Sequence, residues 1–344
     1  MGMYLKNGFI NIEWAADLAA RHNIAFIFIV GKRQIGKTYG VLQYLLQNEK
    51  PFIYLRRTST EIDFVTKDVN NPFNKIPDAR THFEKNDKYT YIIKREAEGN
   101  AEELFDIGMA TSLTAIAKIR GFDGSRYIDM IYDECIPENH VFKIKDEGDA
   151  FLNAYVTISG NRELEGKPPF RVWLLANSNN FNAPIISALN VPEELETMYN
   201  KNIEFLLLKD RGVMLFCPDS NMITEKRKET ALYKAIGTNS KFAKMSIGGE
   251  WAYNDMSDVR NMSTSHFKPS INIGELTVHV GRDTFMLYVT EKIDGKVKIE
   301  YPDTDYYKQR FRRDLPDIRS MWLSGKVIFQ SLTVKQRFID FIEN

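Results

Sequence analysis

The sequence predicts an α/β fold with a mostly parallel sheet, followed by a helical segment and a small α+β domain. Three observations lead to this prediction. Short apolar runs alternate with helical patterns along roughly the first 200 residues, as is typical of parallel strands buried on both faces. A loop with two glycines joins the first apolar run to a helix. Beyond about residue 270, polar and apolar residues alternate, which favours antiparallel strands.

The first predicted element is a helix, and strands alternate with helical segments after it. Residues 11–22 carry an N-cap candidate in Asn11 and apolar residues at helical spacing, so they predict a helix. Crossovers between parallel strands are right-handed and usually helical, so the alternation predicts a mostly parallel sheet. Strands are predicted at residues 24–30, 52–55, 90–93, 128–132 and 171–176.

The pattern changes beyond the last of these strands. Residues 203–208 and 213–216 flank the sequence KDRG, which predicts a hairpin, and residues 221–258 are charged and helical in character. Antiparallel strands are predicted from about residue 271 to 301, with a turn at Asp294 and Gly295. The tail has helical spacing. We therefore expect a first domain at 1–220, a helical connector at 221–265 and an α+β domain at 266–344.

The composition is that of a globular protein. A length of 344 residues suggests about two domains, and 43% apolar and 27% charged residues are ordinary values. No apolar run approaches the roughly 18 residues of a membrane span, and the first residues lack the layout of a signal peptide. The net charge of zero argues against a generally basic protein but allows a local basic surface.

The cysteine content indicates a reducing compartment. Cys135 and Cys217 are the two cysteines, and neither has a partner at the spacing of a metal site. We expect both to be buried, reduced thiols in a cytoplasm, with no membrane association.

Residues 31–38 read GKRQIGKT and match the phosphate-binding P-loop, G-x-x-x-x-G-K-[ST]. The two glycines allow the backbone N–H groups to point at phosphate oxygens, and the following helix adds its N-terminus. Lys37 is expected to reach the β- and γ-phosphates, and the Thr38 hydroxyl to bind Mg²⁺. Nucleotide contacts are predicted for Gly31, Lys32, Arg33, Gln34, Ile35, Gly36, Lys37, Thr38 and Tyr39.

A P-loop enzyme also needs a carboxylate at the end of another strand. Asp133 ends the strand of IDMIYDE, where a Walker B residue would hold Mg²⁺, and Glu134 follows, where a general base would face the γ-phosphate. We interpret the pair in this way because of the P-loop upstream. The guanine-reading motif NKxD does not follow a suitable strand, so ATP is preferred to GTP.

Two further features fit the same site. Asn177, in the polar sequence NSNN after the strand at 171–176, can place a side-chain amide near the γ-phosphate, although an ordinary turn explains it equally well. Ring ATPases receive an arginine from a neighbouring subunit. Arg120 and Arg162 are the candidates, since both follow or precede glycines in segments that flank the Walker B strand; Arg162 is slightly favoured over Arg120.

The sequences GKRQIGKT, FIYLRRTST, IYDE and LLANSNN, in this order, resemble the large terminase, the DNA-packaging ATPase of tailed bacteriophages. Within that group the chain is most similar to the packaging ATPases of small podoviruses that replicate from a protein primer. The resemblance covers about the first 220 residues well, the connector moderately and the rest weakly. It implies that Arg33 is the extra basic P-loop residue and that Arg56 and Arg57 contact ATP or a neighbouring subunit.

The resemblance also implies a function. It implies an ASCE-type P-loop ATPase that uses ATP and Mg²⁺ to translocate double-stranded DNA into a procapsid through the portal. It further implies a homo-oligomeric ring, usually pentameric, that acts in the host cytoplasm while docked on the procapsid. Some members of the group also use a structural packaging RNA. The sequence NSNN of this chain resembles the motif that couples the γ-phosphate to domain motion.

The C-terminal domain is expected to have an RNase H-like fold without nuclease activity. Many terminases carry such a nuclease, which needs three or four carboxylates around two metal ions. Here His279 stands where the first Asp is expected, and Asp283, Asp303 and Asp305 form a poor set. A turn cap explains Asp303 and Asp305 better than catalysis does.

Basic residues in two segments could follow DNA phosphates. Those of the sequence YYKQRFRRD have aromatic neighbours, as stacking surfaces often do, although a charged solvent face explains either segment nearly as well. DNA contacts are predicted for Lys226, Arg227, Lys228, Lys308, Arg310, Arg312 and Arg313.

Two other functions stay open at this point. A P-loop ATPase or helicase that acts on other DNA would share the nucleotide site, but the series of helicase motifs is missing from the sequence. A nucleotide-gated assembly protein would bind ATP and hydrolyse it slowly. Strand separation would indicate the helicase, and slow turnover that DNA and procapsids do not raise would indicate the assembly protein.

Overall fold

The computed structural model of the chain describes residues 2–98, 100–116, 124–137, 144–177, 183–219, 221–237, 258–291 and 293–343. Its α-helices are α1 (Ile12–Arg21), α2 (Lys37–Gln47), α3 (Ser59–Val65), α4 (Leu113–Ile116), α5 (Glu147–Ser159), α6 (Pro184–Ala188), α7 (Pro192–Asn200), α8 (Asn221–Lys228), α9 (Ala231–Ile236), α10 (Asp305–Asp314), α11 (Pro316–Leu323) and α12 (Leu332–Glu343).

Its strands are β1 (Phe26–Val30), β2 (Phe52–Arg56), β3 (Thr81–Lys85), β4 (Thr90–Ala97), β5 (Asn100–Ser112), β6 (Asp129–Asp133), β7 (Arg171–Ala176), β8 (Phe205–Leu208), β9 (Val213–Phe216), β10 (Phe267–Ile273), β11 (Leu276–Gly281), β12 (Leu287–Thr290), β13 (Glu300–Tyr301) and β14 (Val327–Phe329).

The chain divides into two compact units. One comprises residues 1–190 and 197–252, and the other comprises residues 191–196 and 253–344. The predicted domain boundaries at 220 and 265 stay predictions, because residues 238–257 of the connector lie outside the described residues. Within the described ranges, no helix is both long and apolar enough to cross a membrane.

The first unit contains a nine-stranded sheet in the order β3-β4-β5-β2-β6-β7-β1-β9-β8. The six strands from β5 to β9 in this order are parallel, and antiparallel hairpins extend both edges. This arrangement confirms the predicted α/β class with a mostly parallel sheet. The central strands are apolar throughout because helices cover both faces, so that Ile27, Ile131 and Trp173 are fully buried.

Two local structures of the first unit agree with the sequence-based prediction, and one strand does not. The KDRG sequence forms the 3₁₀ turn Lys209–Arg211 between β8 and β9, and Gly212 has a positive φ of 62° that favours glycine. Asn11 caps α1 by accepting a hydrogen bond from the Trp14 amide at 3.2 Å. Strand β5 was not predicted; it spans 13 residues and pairs with both β4 and β2.

The second unit contains a five-stranded sheet in the order β13-β10-β11-β12-β14. Strands β10, β11 and β12 are antiparallel neighbours, whereas β13 and β14 pair in parallel with β10 and β12. Helices α10 and α12 pack on this sheet, where Phe311, Val334 and Phe338 are buried. The small α+β domain is thus present. Helices α11 and α12 occupy most of the tail, as its spacing predicted, and β14 lies between them; Phe329 in this strand is fully buried and completes the sheet core.

Candidate functional site

The P-loop lies between β1 and α2, at the carboxyl edge of the parallel strands. Gln34 and Gly36 have positive φ values of 62° and 89°, which curl the loop. A Cβ on Gly36 would also lie 3.0 Å from the Phe9 ring, so this position excludes larger residues. Gly36 leaves the N-terminus of α2 without a side-chain cap, so its amides are available to an anion.

Lys37 begins α2 and turns its ammonium group toward the loop. Its Nζ donates to the backbone oxygens of Gly31 at 3.1 Å and Lys32 at 2.7 Å, and to Asn177 Oδ1 at 3.2 Å. Burial lowers the Lys37 pKa to about 8, and the carboxylates of Asp133 and Glu134 offset only part of this effect. The amide of Asn177 therefore lies beside the P-loop lysine.

Asp133, at the end of β6, is the centre of a polar network. Its Oδ1 accepts from the Thr38 hydroxyl at 2.8 Å, and its Oδ2 accepts from Tyr54 at 2.9 Å and from Arg56 at 3.0 Å. A hydroxyl and a carboxylate are oxygen ligands of the kind that Mg²⁺ prefers. The donor set of Thr38 and Asp133 therefore fits this metal, and the structure brings the two predicted ligands together.

Glu134 follows Asp133 in a strained backbone conformation. Its φ is 54°, which is a sparsely populated region for a non-glycine residue and costs of order 1–3 kcal/mol. The side chain is 62% exposed, and one carboxylate oxygen lies 3.2 Å from the Arg56 guanidinium. Such strain is typical of functional positions, and here it directs an exposed carboxylate into the space above the P-loop.

A cavity of about 330 Å³ joins these elements. Its size suits the phosphates of a nucleotide, and its polar groups converge from the ends of three strands, β1, β6 and β7. Asp133 and Glu134 thus face Lys37 across one pocket. The cavity is lined by Arg33, Gln34, Gly36, Lys37, Thr38, Tyr39, Asp133, Glu134, Leu175, Ala176 and Asn177.

Three predicted contact residues have other surroundings. The Lys32 side chain points away from the cavity and binds Asp219 and Thr224, so only its backbone remains available to a phosphate. Ile35 is fully buried in the core. Arg57 is also buried, so the expectation that its side chain contacts ATP or a neighbouring subunit is wrong.

The reason for the burial of Arg57 is an ion pair within the first unit. Its guanidinium donates to both carboxylate oxygens of Glu147, at 2.6 and 2.8 Å, and the Tyr132 hydroxyl lies 3.2 Å from the same carboxylate. Both side chains of the ion pair are almost inaccessible. Arg57 therefore joins β2 to the first turn of α5 instead of facing a ligand.

Arg162 lies at the amino edge of the sheet, opposite the P-loop. Its guanidinium donates to the backbone oxygens of Tyr127 and Pro168, each at 2.9 Å, which precede β6 and β7. An arginine that serves a neighbouring subunit has to lie away from its own nucleotide site, so this position is compatible with the prediction. Arg120 lies outside the described residues.

The predicted DNA-contact residues differ in what they contact. On α8, Lys226 is exposed, Arg227 donates to the Arg33 backbone oxygen at 2.9 Å, and Lys228 pairs with Glu225. Arg227 was expected to contact DNA, but in the structure its side chain binds the P-loop instead.

On α10, the basic residues are paired with carboxylates. Lys308 lies 2.8 Å from Asp303, and both Arg310 and Arg313 lie 3.2 Å from Asp314. Arg312 is half-buried. Thr304 caps this helix, and Asp305 is in its first turn, which agrees with a capping role for the segment.

The second unit contains the positions at which a nuclease would need its metal ligands. His279 is buried and its Nε2 lies 3.0 Å from the Thr290 hydroxyl. Among the residues that the structure describes, no group of three or more histidine, cysteine or acidic side chains is arranged to hold a metal ion.

Sequence reasoning missed one residue of the polar network around Asp133. Tyr54 is fully buried and hydrogen bonds to Asp133, and its pKa is raised by burial and by this carboxylate. Its position in the apolar run FIYL suggested a core residue. The available signal is that a tyrosine hydroxyl in a buried strand requires a polar partner.

Comparison with known proteins identifies the family. The profile of the podovirus DNA encapsidation protein (Gp16) matches residues 14–305. The chain belongs to this family. Its function is therefore that of a podovirus DNA encapsidation protein, the DNA-packaging motor of such phages, as the resemblance in the P-loop and Walker B segments implied. A comparison with curated proteins finds no match.

Solved structures support the fold of this encapsidation protein. The bacteriophage Phi-29 viral genome packaging motor assembly aligns with a TM-score of 0.61 and 18% identity, over 96% of this chain and 98% of that chain. The Phi-28 gp11 DNA packaging motor aligns with a TM-score of 0.59 and 15% identity, over 98% and 99%. At these identities, the likeness concerns the fold, and it extends over both units.

The lowered pKa of Lys37 predicts how ATP binding by the encapsidation protein depends on pH. Below about pH 8 the ammonium group is charged, whereas above it the free site loses this charge. A bound triphosphate favours the charged form, so each pH unit above 8 should weaken ATP binding about tenfold. Titration of a fluorescent ATP analogue between pH 7 and about 9.5 measures this slope.

Lys37→Arg is the control, because a guanidinium stays charged over this range. Its ATP affinity, even if weaker, should not change between the two ends of the titration. An affinity of the unchanged protein that is constant up to pH 9.5 would contradict a buried lysine that titrates near pH 8.

Proposed function

We propose that this chain hydrolyses ATP with Mg²⁺ in the cavity between the P-loop and β6, and that hydrolysis drives double-stranded DNA into the procapsid. The hydrogen bond of 2.8 Å between Thr38 and Asp133 carries this proposal. It joins the P-loop hydroxyl to the Walker B carboxylate, and ATP hydrolysis by a P-loop enzyme requires both at one metal position.

The P-loop side of the cavity would bind the phosphates. Backbone amides from residue 31 to Tyr39 would surround the β-phosphate, and Lys37 would exchange its loop carbonyl partners for β- and γ-phosphate oxygens. Asn177, which now accepts from Lys37, would turn its amide to the γ-phosphate. Thr38 and Asp133 would hold the metal, which neutralises charge on the phosphates when bound.

The other side of the cavity would carry out the proton transfer. Glu134 would accept a proton from water, whose oxygen attacks the γ-phosphorus while the bond to the bridging oxygen of ADP breaks. Arg56 contacts both Asp133 and Glu134, at 3.0 and 3.2 Å, so it would fix the distance of the base from the metal ligand. ADP and phosphate are the products of this step.

The motor would act as a homo-oligomeric ring, pentameric by resemblance, that is docked on the portal of the procapsid in the host cytoplasm. By the same resemblance, a structural packaging RNA would be a further partner of this assembly. DNA phosphates would be contacted by basic residues of α8 and α10, and those of them that pair with carboxylates could exchange this partner for a phosphate. The proposed DNA contacts are Lys226, Lys228, Lys308, Arg310, Arg312 and Arg313, with Arg227 assigned to the P-loop instead.

The ATP turnover rate tests the proposal as a whole. We expect turnover by the purified protein to rise on addition of double-stranded DNA and procapsids, and DNA to become protected from nuclease. Stimulation by neither addition would favour a slow, nucleotide-gated assembly protein. Separation of short duplexes would favour a helicase.

Arg162 has its own test, which separates a role in a neighbouring subunit from a role within its own loop. Arg162→Ala and Lys37→Ala should each be inactive alone. In an equal mixture, intact P-loops would face intact arginines at roughly a quarter of the interfaces of a heterologous ring, so part of the turnover should return.

The alternative for Arg162 is that it only ties its loop to the backbone oxygens of Tyr127 and Pro168. In that case Arg162→Ala would lower the unfolding temperature, and mixing would not restore turnover. If Arg120→Ala rather than Arg162→Ala is complemented by Lys37→Ala, then Arg120 is the arginine that acts in the neighbouring subunit.

A further inference from the structure

Helix α8 lies against the outer side of the P-loop. The segment that precedes α8 also lies close to the loop, because a Cβ on Gly31 would meet the Pro218 backbone oxygen at 3.2 Å. Two residues of the loop, Lys32 and Arg33, are bound by residues of the segment that begins at Asp219. The P-loop is therefore held from a second element besides β1 and α2.

The first bond involves the variable residue Lys32. Its side chain is 6% exposed, and its Nζ donates to the Thr224 hydroxyl at 2.8 Å and to Asp219. A buried ammonium is stable only when polar partners replace its water. Because Thr224 is on α8, the position of Lys32 depends on this helix.

The second bond involves the next residue of the loop. Arg227, one turn further along α8, donates from Nη1 to the Arg33 backbone oxygen at 2.9 Å. The ring of Tyr233 on α9 stacks on the same guanidinium, whose carbon lies 5.1 Å from the ring centre. Arg227 is thus held by α9 while it binds the loop.

One residue, Lys32, links α8 to Lys37. Lys37 Nζ donates to the Lys32 backbone oxygen at 2.7 Å, which is the shortest of its three bonds. The side chain of Lys32 is fixed by α8, and its carbonyl accepts from Lys37. A displacement of Lys32 would therefore change the position of the ammonium that receives the phosphates.

We propose that α8 holds the P-loop in its phosphate-binding conformation through Lys32 and Arg33, so that Thr224 and Arg227 are positioning residues for Lys37. The proposal rests on the proposed function, since it concerns ATP binding at the same cavity. In this proposal the side chain of Lys32 holds the P-loop in place and does not contact a phosphate. The proposal also makes ATP affinity depend on a helix that lies outside the nucleotide cavity.

Thr224→Val tests the first bond, because valine keeps the shape and removes the hydroxyl. We expect the Kd for ATP to rise about tenfold, which is about 1.4 kcal/mol, while kcat at saturating ATP changes less than twofold. Thr224→Ser, which keeps the hydroxyl, should restore the Kd. Titration of a fluorescent ATP analogue and the turnover rate give the two quantities.

The result distinguishes positioning from stability alone. If Thr224→Val lowers the unfolding temperature but leaves the Kd unchanged, the hydroxyl only stabilises the unit and the proposal is wrong. A Kd that stays raised in Thr224→Ser would also contradict the proposal, because this variant keeps the hydroxyl and the loss of affinity would then have another cause.

Arg227→Ala tests the second bond in the absence of DNA. We expect a similar rise in the Kd for ATP, whereas Glu229→Ala, an exposed charge that follows α8, should leave it unchanged. An Arg227→Ala protein with normal ATP affinity but weaker DNA binding would return Arg227 to the DNA surface. If the unchanged protein does not bind ATP, the proposed function fails first, independently of α8.

Discussion

Glu134→Gln is expected to bind ATP with nearly unchanged affinity and to lose at least about 100-fold in kcat, because the amide cannot accept the proton of the attacking water. The substitution keeps the shape of a side chain that is 62% exposed and has a single described partner, Arg56. Binding of a fluorescent ATP analogue and steady-state phosphate release measure the two effects separately.

The matched control is Glu103→Gln, which makes the same change at an exposed position of β5 and should leave kcat unchanged. Near-normal turnover of Glu134→Gln would remove this residue from the role of general base. A loss of ATP affinity as large as the loss of kcat would instead indicate that the carboxylate binds the metal.

The second large effect is expected on stability. Arg57→Ala leaves Glu147 buried without its bidentate partner, and breaking a buried ion pair in this way costs about 3–5 kcal/mol of unfolding free energy. Denaturant unfolding of the first unit measures this loss. The ATP affinity of the fraction that stays folded should change little, since Arg57 does not line the cavity.

A double substitution provides the control for the ion pair. Arg57→Met with Glu147→Leu removes both charges and keeps much of the buried volume, so it should recover most of the lost stability. If the double variant is as unstable as Arg57→Ala, packing of the long side chain and not the ion pair holds β2 to α5. If Arg57→Ala is stable but binds ATP poorly, the side chain is exposed to the nucleotide after all.

The P-loop and Walker B residues could be predicted from the sequence because each is a local pattern. Residues 31–38 contain the whole loop, and Asp133 and Glu134 lie at the end of a strand whose central residues, 130–132, are apolar. Parallel strands align their carboxyl ends, so the two patterns had to lie at the same edge of one sheet. The hydrogen bond from Thr38 to Asp133 results from this alignment of the strand ends.

The direction of individual side chains could not be predicted. Arg56 ends β2 and Arg57 directly follows it, so their side chains point in different directions, and Arg56 binds Asp133 while Arg57 binds Glu147. The sequence contains both arginines but not the strand order that places β6 beside β2. The same limit applies to Lys32, since the variable positions of a P-loop do not reveal which of them faces phosphate.

Strands β5 and β14 could not be predicted for a different reason, which is that their sequences carry no clear strand pattern. Residues 100–106 of β5 are mainly polar and acidic, because the strand extends past the covered part of the sheet and pairs there only with β4. Burial, which creates the apolar signal, is missing from that stretch. In the tail, β14 has only three residues, too few for a period to be distinguished from the helices on either side.

The strand order has a consequence for synthesis on the ribosome. Strand β1 emerges early, but its two sheet neighbours, β7 and β9, are translated long after it. The interval from β1 to β9 is roughly 180 residues, which takes about 10–40 s of elongation. During that time a nascent chain exposes an unpaired apolar strand beside its unfinished P-loop, so chaperone capture is expected before the ninth strand appears and nucleotide capture only after it.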